Sequence, residues 1–175
     1  MMPQEKAYFA AGCFWGVEAI FAGVEGVLET SVGYMNGETH APTYQDVCTG
    51  RTQHAEAVEV IFDNKTVTFN QLLWLFWHLH DPTQLNRQGF DVGTQYRSGV
   101  YTTTAEQAEI ALNNKAFAQA LFSKPIVTEI LPAETFWKAE AYHQQYLAKN
   151  PHRGSCHIVS DIDAVLKSAP IVSAI

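Results

Sequence analysis

A cysteine at the junction of a predicted strand and a predicted helix is the first candidate for chemistry in this sequence. Cys13 follows Gly12 at the start of a helical stretch, where the positive end of the helix macrodipole favours a thiolate. The thiolate is the nucleophilic form of cysteine, and little of an ordinary thiol is ionised at neutral pH. A buried core cysteine is the alternative, and position alone leaves the two interpretations equally open.

Two large aromatic residues follow this cysteine directly. Phe14 and Trp15 come after a sharp turn, so they are placed to wall an apolar pocket beside the sulfur. Ordinary core packing is the alternative interpretation for both rings.

Glu56 is the second candidate, because it lies in the clearest predicted strand, residues 55–62. Side chains alternate along a strand, so Glu56 shares a face with Val58, Val60 and Phe62. Burial on an apolar face raises the pKa of a carboxyl group, which can then donate a proton near neutral pH. A glutamate at a strand end that reaches solvent is the alternative.

Two turn-rich segments, residues 36–51 and 81–96, are predicted to be long loops, and such loops are often functional. They contain Tyr44, Tyr96 and Asp91. Taken alone, loop tyrosines usually pack with a solvated hydroxyl, and a loop aspartate usually caps a turn.

The remaining cysteines and histidines do not suggest a scaffold or a metal site. Cys13, Cys48 and Cys156 are odd in number, which argues against a disulfide framework. His78 and His80 would lie on different sides of a helix, and no Cys-x-x-Cys or His-Glu-x-x-His pattern occurs. We therefore expect no metal and no cofactor.

The elements that must position these residues alternate irregularly between strand and helix. An α+β fold follows, which we expect to be a single-domain two-layer sandwich over residues 1–175: a mixed β-sheet with helices packed on it and a ferredoxin-like core. A C-terminal segment from about residue 150 carries Cys156. The predicted strands are 5–11, 27–34, 55–62, 99–103 and 126–131, and the predicted helices are 14–21, 69–80, 104–121 and 136–146.

Composition excludes some classes of partner. The 175 residues carry a net charge of −7, which is wrong for unaided nucleic-acid binding and for an anionic membrane surface. The N-terminus shows no secretory signal, and the longest apolar stretch, around residues 72–79, is too short to span a bilayer. We expect a cytoplasmic protein that acts as a monomer, without nucleic-acid or membrane partners.

The residues around Cys13 begin an ordered series of motifs that covers roughly residues 6–151. The series resembles the A-type peptide methionine sulfoxide reductases. Its segments are Gly12-Cys13-Phe14-Trp15-Gly16, Val32-Gly33-Tyr34, Pro42-Thr43-Tyr44, Val47-Cys48-Thr49-Gly50, His54-Ala55-Glu56-Ala57-Val58, His80-Asp81-Pro82-Thr83, Asp91-Val92-Gly93-Thr94-Gln95-Tyr96-Arg97-Ser98 and Tyr142-His143-Gln144-Gln145-Tyr146-Leu147.

The resemblance implies an enzyme that repairs oxidised proteins by reducing methionine S-sulfoxide to methionine. It implies that Cys13 attacks the sulfur and that Glu56 protonates the departing oxygen, which leaves a cysteine sulfenic acid. The other implied contacts are the substrate methyl group against Phe14 and Trp15, hydrogen bonds to the sulfoxide oxygen from Tyr44 and Tyr96, and Asp91 near the substrate.

The resemblance also implies a second, resolving cysteine that closes a disulfide, which thioredoxin then reduces. Cys156 fits this role, although the chain reads His152-Arg153-Gly154-Ser155-Cys156 where a shorter Gly-Tyr-Cys ending is expected. Cys48 has no implied role, and we expect it to be a packing residue. A cysteine hydrolase that uses a histidine base and a non-catalytic module that binds oxidised methionine remain as alternatives.

Overall fold

The computed structural model describes residues 4–172, so the outer ends of the expected domain, residues 1–3 and 173–175, lie outside the described residues. The strands are β1 (Gln4–Ala11), β2 (Val27–Met35), β3 (Ala55–Asp63), β4 (Arg87–Gln88), β5 (Asp91–Val92), β6 (Ser98–Thr102), β7 (Glu129–Pro132) and β8 (Trp137–Lys138). The helices are α1 (Phe14–Ala22), α2 (Tyr44–Cys48), α3 (Phe69–Leu79), α4 (Ala105–Ala118), α5 (Tyr146–Lys149) and α6 (Ile162–Lys167).

Six of these strands form one mixed sheet in the order β7-β6-β1-β3-β2-β8. Every neighbouring pair is antiparallel except β6 and β7, which are parallel. Strands β4 and β5 form a separate hairpin within the predicted loop 81–96. The mixed α+β, single-domain prediction is confirmed. In the described range, no helix combines the length and apolar character needed to cross a bilayer.

The core lies between one face of this sheet and helices α1, α3 and α4. Phe9 of β1 stacks on Phe21 of α1 with ring centroids 4.7 Å apart, and it also contacts Phe76 of α3 at 5.4 Å. Helix α3 begins with a complete capping box between Thr68 and Gln71, and eight of its eleven residues are buried. The opposite face of the sheet holds a smaller buried cluster of Ala10, Met35, Ala55, Ala57 and Tyr101.

One region departs clearly from the sequence prediction. The helix predicted over 136–146 is wrong, because Trp137 instead pairs with Tyr34 at the edge of the sheet. The Gln144 side chain accepts a hydrogen bond from the Val32 N–H, and Gln145 adopts a left-handed backbone with φ 53°. These contacts with β2 outweigh a helix propensity that is only a weak preference. The predicted strand 126–131 starts late, at Glu129, and helix α6 was not predicted.

Candidate active site

The predicted nucleophile lies where β1 turns sharply into α1. Gly12 has φ 93°, a left-handed conformation that favours glycine, and a Cβ there would lie 2.8 Å from Cβ of Gln88. Cys13 is the N-cap of α1 and is only partly exposed. The backbone N–H groups of Trp15 and Gly16, in the first turn of the helix, act to lower the pKa of its thiol. The predicted strand–glycine–helix junction is therefore confirmed.

The protonation state of Cys13 differs from the prediction. The pKa of its thiol is raised to about 12, chiefly by burial and also by the nearby carboxyl groups of Glu56 and Asp91, although the backbone N–H groups of Trp15 and Gly16 act to lower it. The helix N-terminus acts in the expected direction, because its N–H groups lower the pKa, but desolvation of the sulfur outweighs them. The Cys13 thiol is therefore neutral at neutral pH.

Glu56 lies at the start of β3, directly beside this junction. Only 2% of the residue is exposed, and its face of the strand continues into Val58, Val60 and Phe62, as alternation predicts. Oε1 accepts a hydrogen bond from the N–H of Phe14 at 3.3 Å, while the buried Oε2 has no partner among the described residues. Burial raises the pKa of this carboxyl group to about 8, so it is protonated at neutral pH.

The two aromatic residues after Cys13 have different environments. Phe14 is fully buried and packs against Tyr34 and His143, with ring centroids 5.7 and 5.2 Å away. Trp15 is partly exposed and stacks on Tyr146 at 3.8 Å and 9° between the ring planes. Its indole Nε1–H donates to Nδ1 of His143 at 2.9 Å. Two contacts therefore fix the orientation of the indole: the Tyr146 ring packs on one of its faces, and His143 accepts the hydrogen bond from its Nε1–H.

Residues from both predicted loops converge on the same place. Tyr44 opens helix α2 and Tyr96 lies in a short 3₁₀ turn, Thr94–Tyr96. Burial raises the pKa of both phenols, and the charge of Glu56 raises it further. Asp91, in β5, raises the pKa values of Cys13, Glu56 and Tyr96. The structure thus brings the loop residues to the carboxyl group and the thiol.

Cys156 does not face Cys13 in this structure. It is exposed, forms no disulfide, and lines a groove with Phe122, Lys124 and Ile158. His157 next to it is buried and donates from Nε2 to the carbonyl oxygen of Ala11 at 2.6 Å. A Cβ on Gly16 would overlap Nδ1 of His157, so this glycine makes room for the imidazole. The segment is docked beside the nucleophile with its cysteine turned outward.

Cys48 is exposed rather than packed, so the expectation of a packing residue is wrong. It ends helix α2, and its side chain interacts with that of Tyr44, which raises the pKa of the Tyr44 phenol. Its charge raises the pKa of Tyr96, so it lies at the rim of the same site.

Sequence reasoning gave no role to several residues that shape the site. Glu140 accepts hydrogen bonds from the Tyr34 hydroxyl and from the Tyr44 N–H, both at 2.9 Å. His143 accepts from Trp15, and its buried Nε2 has no partner among residues 4–172. Only the motif over residues 142–147 could have marked His143 and Tyr146. His157 lies in the segment that departs most from the family pattern, so no motif marks it.

A buried, protonated carboxyl group beside a cysteine at a helix N-terminus is the arrangement of a thiol enzyme with a general acid. The family model described as Peptide methionine sulfoxide reductase matches residues 5–169. Peptide methionine sulfoxide reductase MsrA of Pasteurella multocida is 51% identical over 156 residues, 89% of this chain and 90% of that protein. The chain belongs to the peptide methionine sulfoxide reductase family and is an oxidoreductase that reduces methionine sulfoxide.

Solved structures agree with this assignment. Methionine sulfoxide reductase A of Corynebacterium diphtheriae has a TM-score of 0.80 and 45% identity, covering 90% of this chain and 80% of that one. Reduced Mxr1 from Saccharomyces cerevisiae has a TM-score of 0.86 and 35% identity, covering 91% and 93%. Mxr1 in complex with Trx2 shares the fold at a TM-score of 0.63 and 23% identity, covering 91% of each chain.

Proposed function

We propose that this chain reduces the S epimer of methionine sulfoxide, free or in polypeptides, with Cys13 as nucleophile and Glu56 as proton donor. One observation carries the proposal. The Glu56 carboxyl group is buried and tied to the N–H of Phe14, the residue after Cys13, and its second oxygen has no partner in the described part of the chain. A protonated carboxyl group with a free oxygen can donate to the oxygen of a bound sulfoxide.

In the first step, Cys13 and Glu56 supply both protons that move, so no external acid is needed. The sulfur of Cys13 attacks the sulfoxide sulfur, and Glu56 donates its proton to the departing oxygen. Because the thiol starts protonated, its proton passes to the Glu56 carboxylate as the sulfur is consumed. The sulfur–sulfur bond made in the attack then breaks as the oxygen passes to Cys13, so that methionine leaves and Cys13 becomes a sulfenic acid. The substrate sulfur is reduced by two electrons, the Cys13 sulfur is oxidised by two, and Glu56 is again protonated.

The remaining site residues bind and orient the sulfoxide. Tyr44 and Tyr96 donate hydrogen bonds to the sulfoxide oxygen, because both phenols keep their protons at neutral pH. The indole of Trp15, fixed by His143 and Tyr146, bounds the site for the methyl group, with Phe14 behind it. Asp91 lies near the bound substrate, and its charge helps to keep Glu56 protonated.

The oxidised enzyme is recycled through a second thiol. Cys156 attacks the sulfenic acid, a disulfide forms and water leaves. A dithiol protein then reduces the disulfide by thiol–disulfide exchange and becomes oxidised itself. We assign thioredoxin as that reductant from the family resemblance, and the complex of Mxr1 with Trx2 supports the choice.

The setting of the enzyme completes the proposal. A reaction that needs free thiols and thioredoxin suits a reducing compartment, so we propose a cytoplasmic monomer that repairs oxidised proteins. We further propose one domain over residues 1–175 with a ferredoxin-like core. The antiparallel order β6-β1-β3-β2, with α1 and α3 as the connecting helices, supports that assignment.

Turnover of a defined substrate tests the function. A peptide with methionine S-sulfoxide is incubated with the protein and dithiothreitol, beside the same peptide with the R epimer. We expect stoichiometric conversion of the S peptide to the methionine peptide and none of the R peptide. A cysteine hydrolase would cleave the peptide, and a binding module would retain it unchanged, so either result would refute the proposal.

A further inference from the structure

The hairpin of β4 and β5, with the residues just before it, places apolar side chains in solvent right beside the site. Phe90 is fully exposed, and Val92 and Leu85 are each 67% exposed. Isolated exposed apolar residues are common, but three within one short segment at an active site need an explanation. The intervening Asp91 already interacts with Cys13 and Glu56.

The register of the hairpin explains why Asp91 faces the site while its neighbour Val92 faces the solvent. Gln88 pairs with Asp91, and Arg87 pairs with Val92. Paired residues share a face, so Gln88 and Asp91 point the same way, and Gln88 meets Gly12 beside the nucleophile. The side chain of Val92 therefore points away from the thiol.

Several hydrogen bonds hold the backbone of the hairpin, so its exposed apolar side chains have a fixed position. The Gln88 amide exchanges two hydrogen bonds with the backbone of Asp81, at 3.0 and 2.9 Å. The N–H of Gly89 donates to the Gln84 side chain at 2.8 Å, and the N–H of Gly93 donates to the Asn86 carbonyl oxygen at 2.9 Å. An apolar surface on a fixed support loses little conformational entropy when a partner covers it.

We propose that Phe90 and Val92 form a docking surface, the hairpin surface, for apolar residues that flank methionine sulfoxide in an oxidised polypeptide. The proposal rests on the proposed function, because a sulfoxide side chain that reaches Cys13 leaves its own backbone at the mouth of the site. Residues adjacent in an extended chain lie about 3.3–3.6 Å further on per residue. Methionine is usually buried among apolar neighbours, so oxidised and unfolded segments present this chemistry.

Matched substrates test the hairpin surface with dithiothreitol as the only reductant. Three substrates are compared: N-acetyl methionine S-sulfoxide, a pentapeptide with leucine on both sides of the sulfoxide, and the same peptide with serine. We expect wild-type kcat/KM to favour the leucine peptide by about tenfold, the size expected for partial burial of one aromatic ring. The variant Phe90→Ser/Val92→Ser is expected to lose that preference through KM, with N-acetyl methionine sulfoxide turned over within about twofold of wild type.

Phe117→Ser is the matched control, since Phe117 is a 54% exposed phenylalanine on α4, and it should keep the preference. Phe90→Ser alone is the fallback if the double variant fails to fold. Equal kcat/KM for the two peptides in wild type, or a preference that survives in the double variant, would overturn the docking surface. Failure of wild type to reduce even the N-acetyl substrate would instead refute the proposed function.

Discussion

Oε1 of Glu56 accepts a hydrogen bond from the backbone N–H of Phe14 at 3.3 Å, and Phe14 is the residue that follows Cys13. The strand that carries the carboxyl group is therefore tied to the first turn of the helix that carries the thiol. One consequence is geometric, since the acid and the nucleophile are fixed relative to each other. Another is electrostatic, since the charge of an ionised Glu56 raises the pKa of the Cys13 thiol.

Replacing Glu56 by glutamine keeps the shape and removes the transferable proton. We expect the single-turnover rate of sulfoxide reduction to fall by roughly 10²–10⁴-fold, the usual contribution of general acid catalysis. The pKa of the wild-type carboxyl group is about 8, so the wild-type rate should fall as pH rises through about that value. Rapid-quench measurement over a pH series tests both points. A Gln variant within threefold of wild type would remove Glu56 from the role.

The same substitution should change stability in a pH-dependent way. The Glu56 pKa rises from an ordinary 4.5 to about 8 on folding, so the neutral carboxyl group stabilises the fold below about pH 4.5. That contribution is lost progressively as pH rises toward 8. We therefore expect the free energy of unfolding of wild type, minus that of Glu56→Gln, to decrease across this window. Urea unfolding of both proteins at each pH measures the difference, and a flat difference would contradict the raised pKa.

Cys13→Ser should abolish turnover and leave the fold intact, because a hydroxyl is a far poorer nucleophile than a thiol at neutral pH. Cys48→Ser is the matched control, since it removes a thiol at the rim of the same site and should retain turnover with dithiothreitol. Methionine release in a single turnover is the measurement. Appreciable reduction by folded Cys13→Ser would show that the nucleophile lies elsewhere.

Trp15→Ala should raise KM at least about tenfold, because one methyl group in an apolar pocket is worth roughly 1–3 kcal/mol. Trp74 gives a matched control: it is buried on α3, and its indole N–H also donates to a side chain, that of Ser168. Trp74→Ala should lower the melting temperature and keep KM. If Trp15→Ala behaves like Trp74→Ala, Trp15 is a packing residue only.

The sequence alone places Cys13 and Glu56 correctly because both depend on local rules. A glycine before a helix puts Cys13 at the N-terminus, and alternation along β3 puts Glu56 on the buried face. The protonation of Cys13 could not be predicted, since burial of the sulfur depends on elements far along the chain. For the same reason His157 was missed: its partner, the Ala11 carbonyl group, is 146 residues away.

Prediction of secondary structure from the sequence fails where contacts between residues far apart in the chain determine the backbone conformation. Residues 136–146 contain good helix formers, but Trp137 pairs with β2 and Gln144 hydrogen-bonds to Val32, 112 residues away. Helix propensity is too small to resist these contacts. Conversely, residues 69–80 were predicted well, because an amphipathic pattern and the Thr68–Gln71 cap act within the segment itself.

The resolving step requires a larger movement of the chain than any other predicted step. Cys156 is exposed, and a disulfide with Cys13 requires Cα atoms about 4.4–6.8 Å apart. His157, bound to the Ala11 carbonyl oxygen and seated against Gly16, holds the neighbouring backbone in its present place. Closure must therefore turn Cys156 inward, and the short segment with Pro151 and Gly154 has few apolar anchors to oppose that movement.

We expect one equivalent of sulfoxide to convert wild type to an internal Cys13–Cys156 disulfide, which peptide mapping after a single turnover detects. Cys156→Ser should still release one methionine per enzyme and then stall as a sulfenic acid when thioredoxin is the only reductant. Small thiols should partly rescue it, because they reach the sulfenic acid directly. Cys48→Ser is again the control and should keep thioredoxin-driven turnover. A Cys13–Cys48 linkage, or full thioredoxin-driven turnover by Cys156→Ser, would show that Cys156 is not the resolving cysteine.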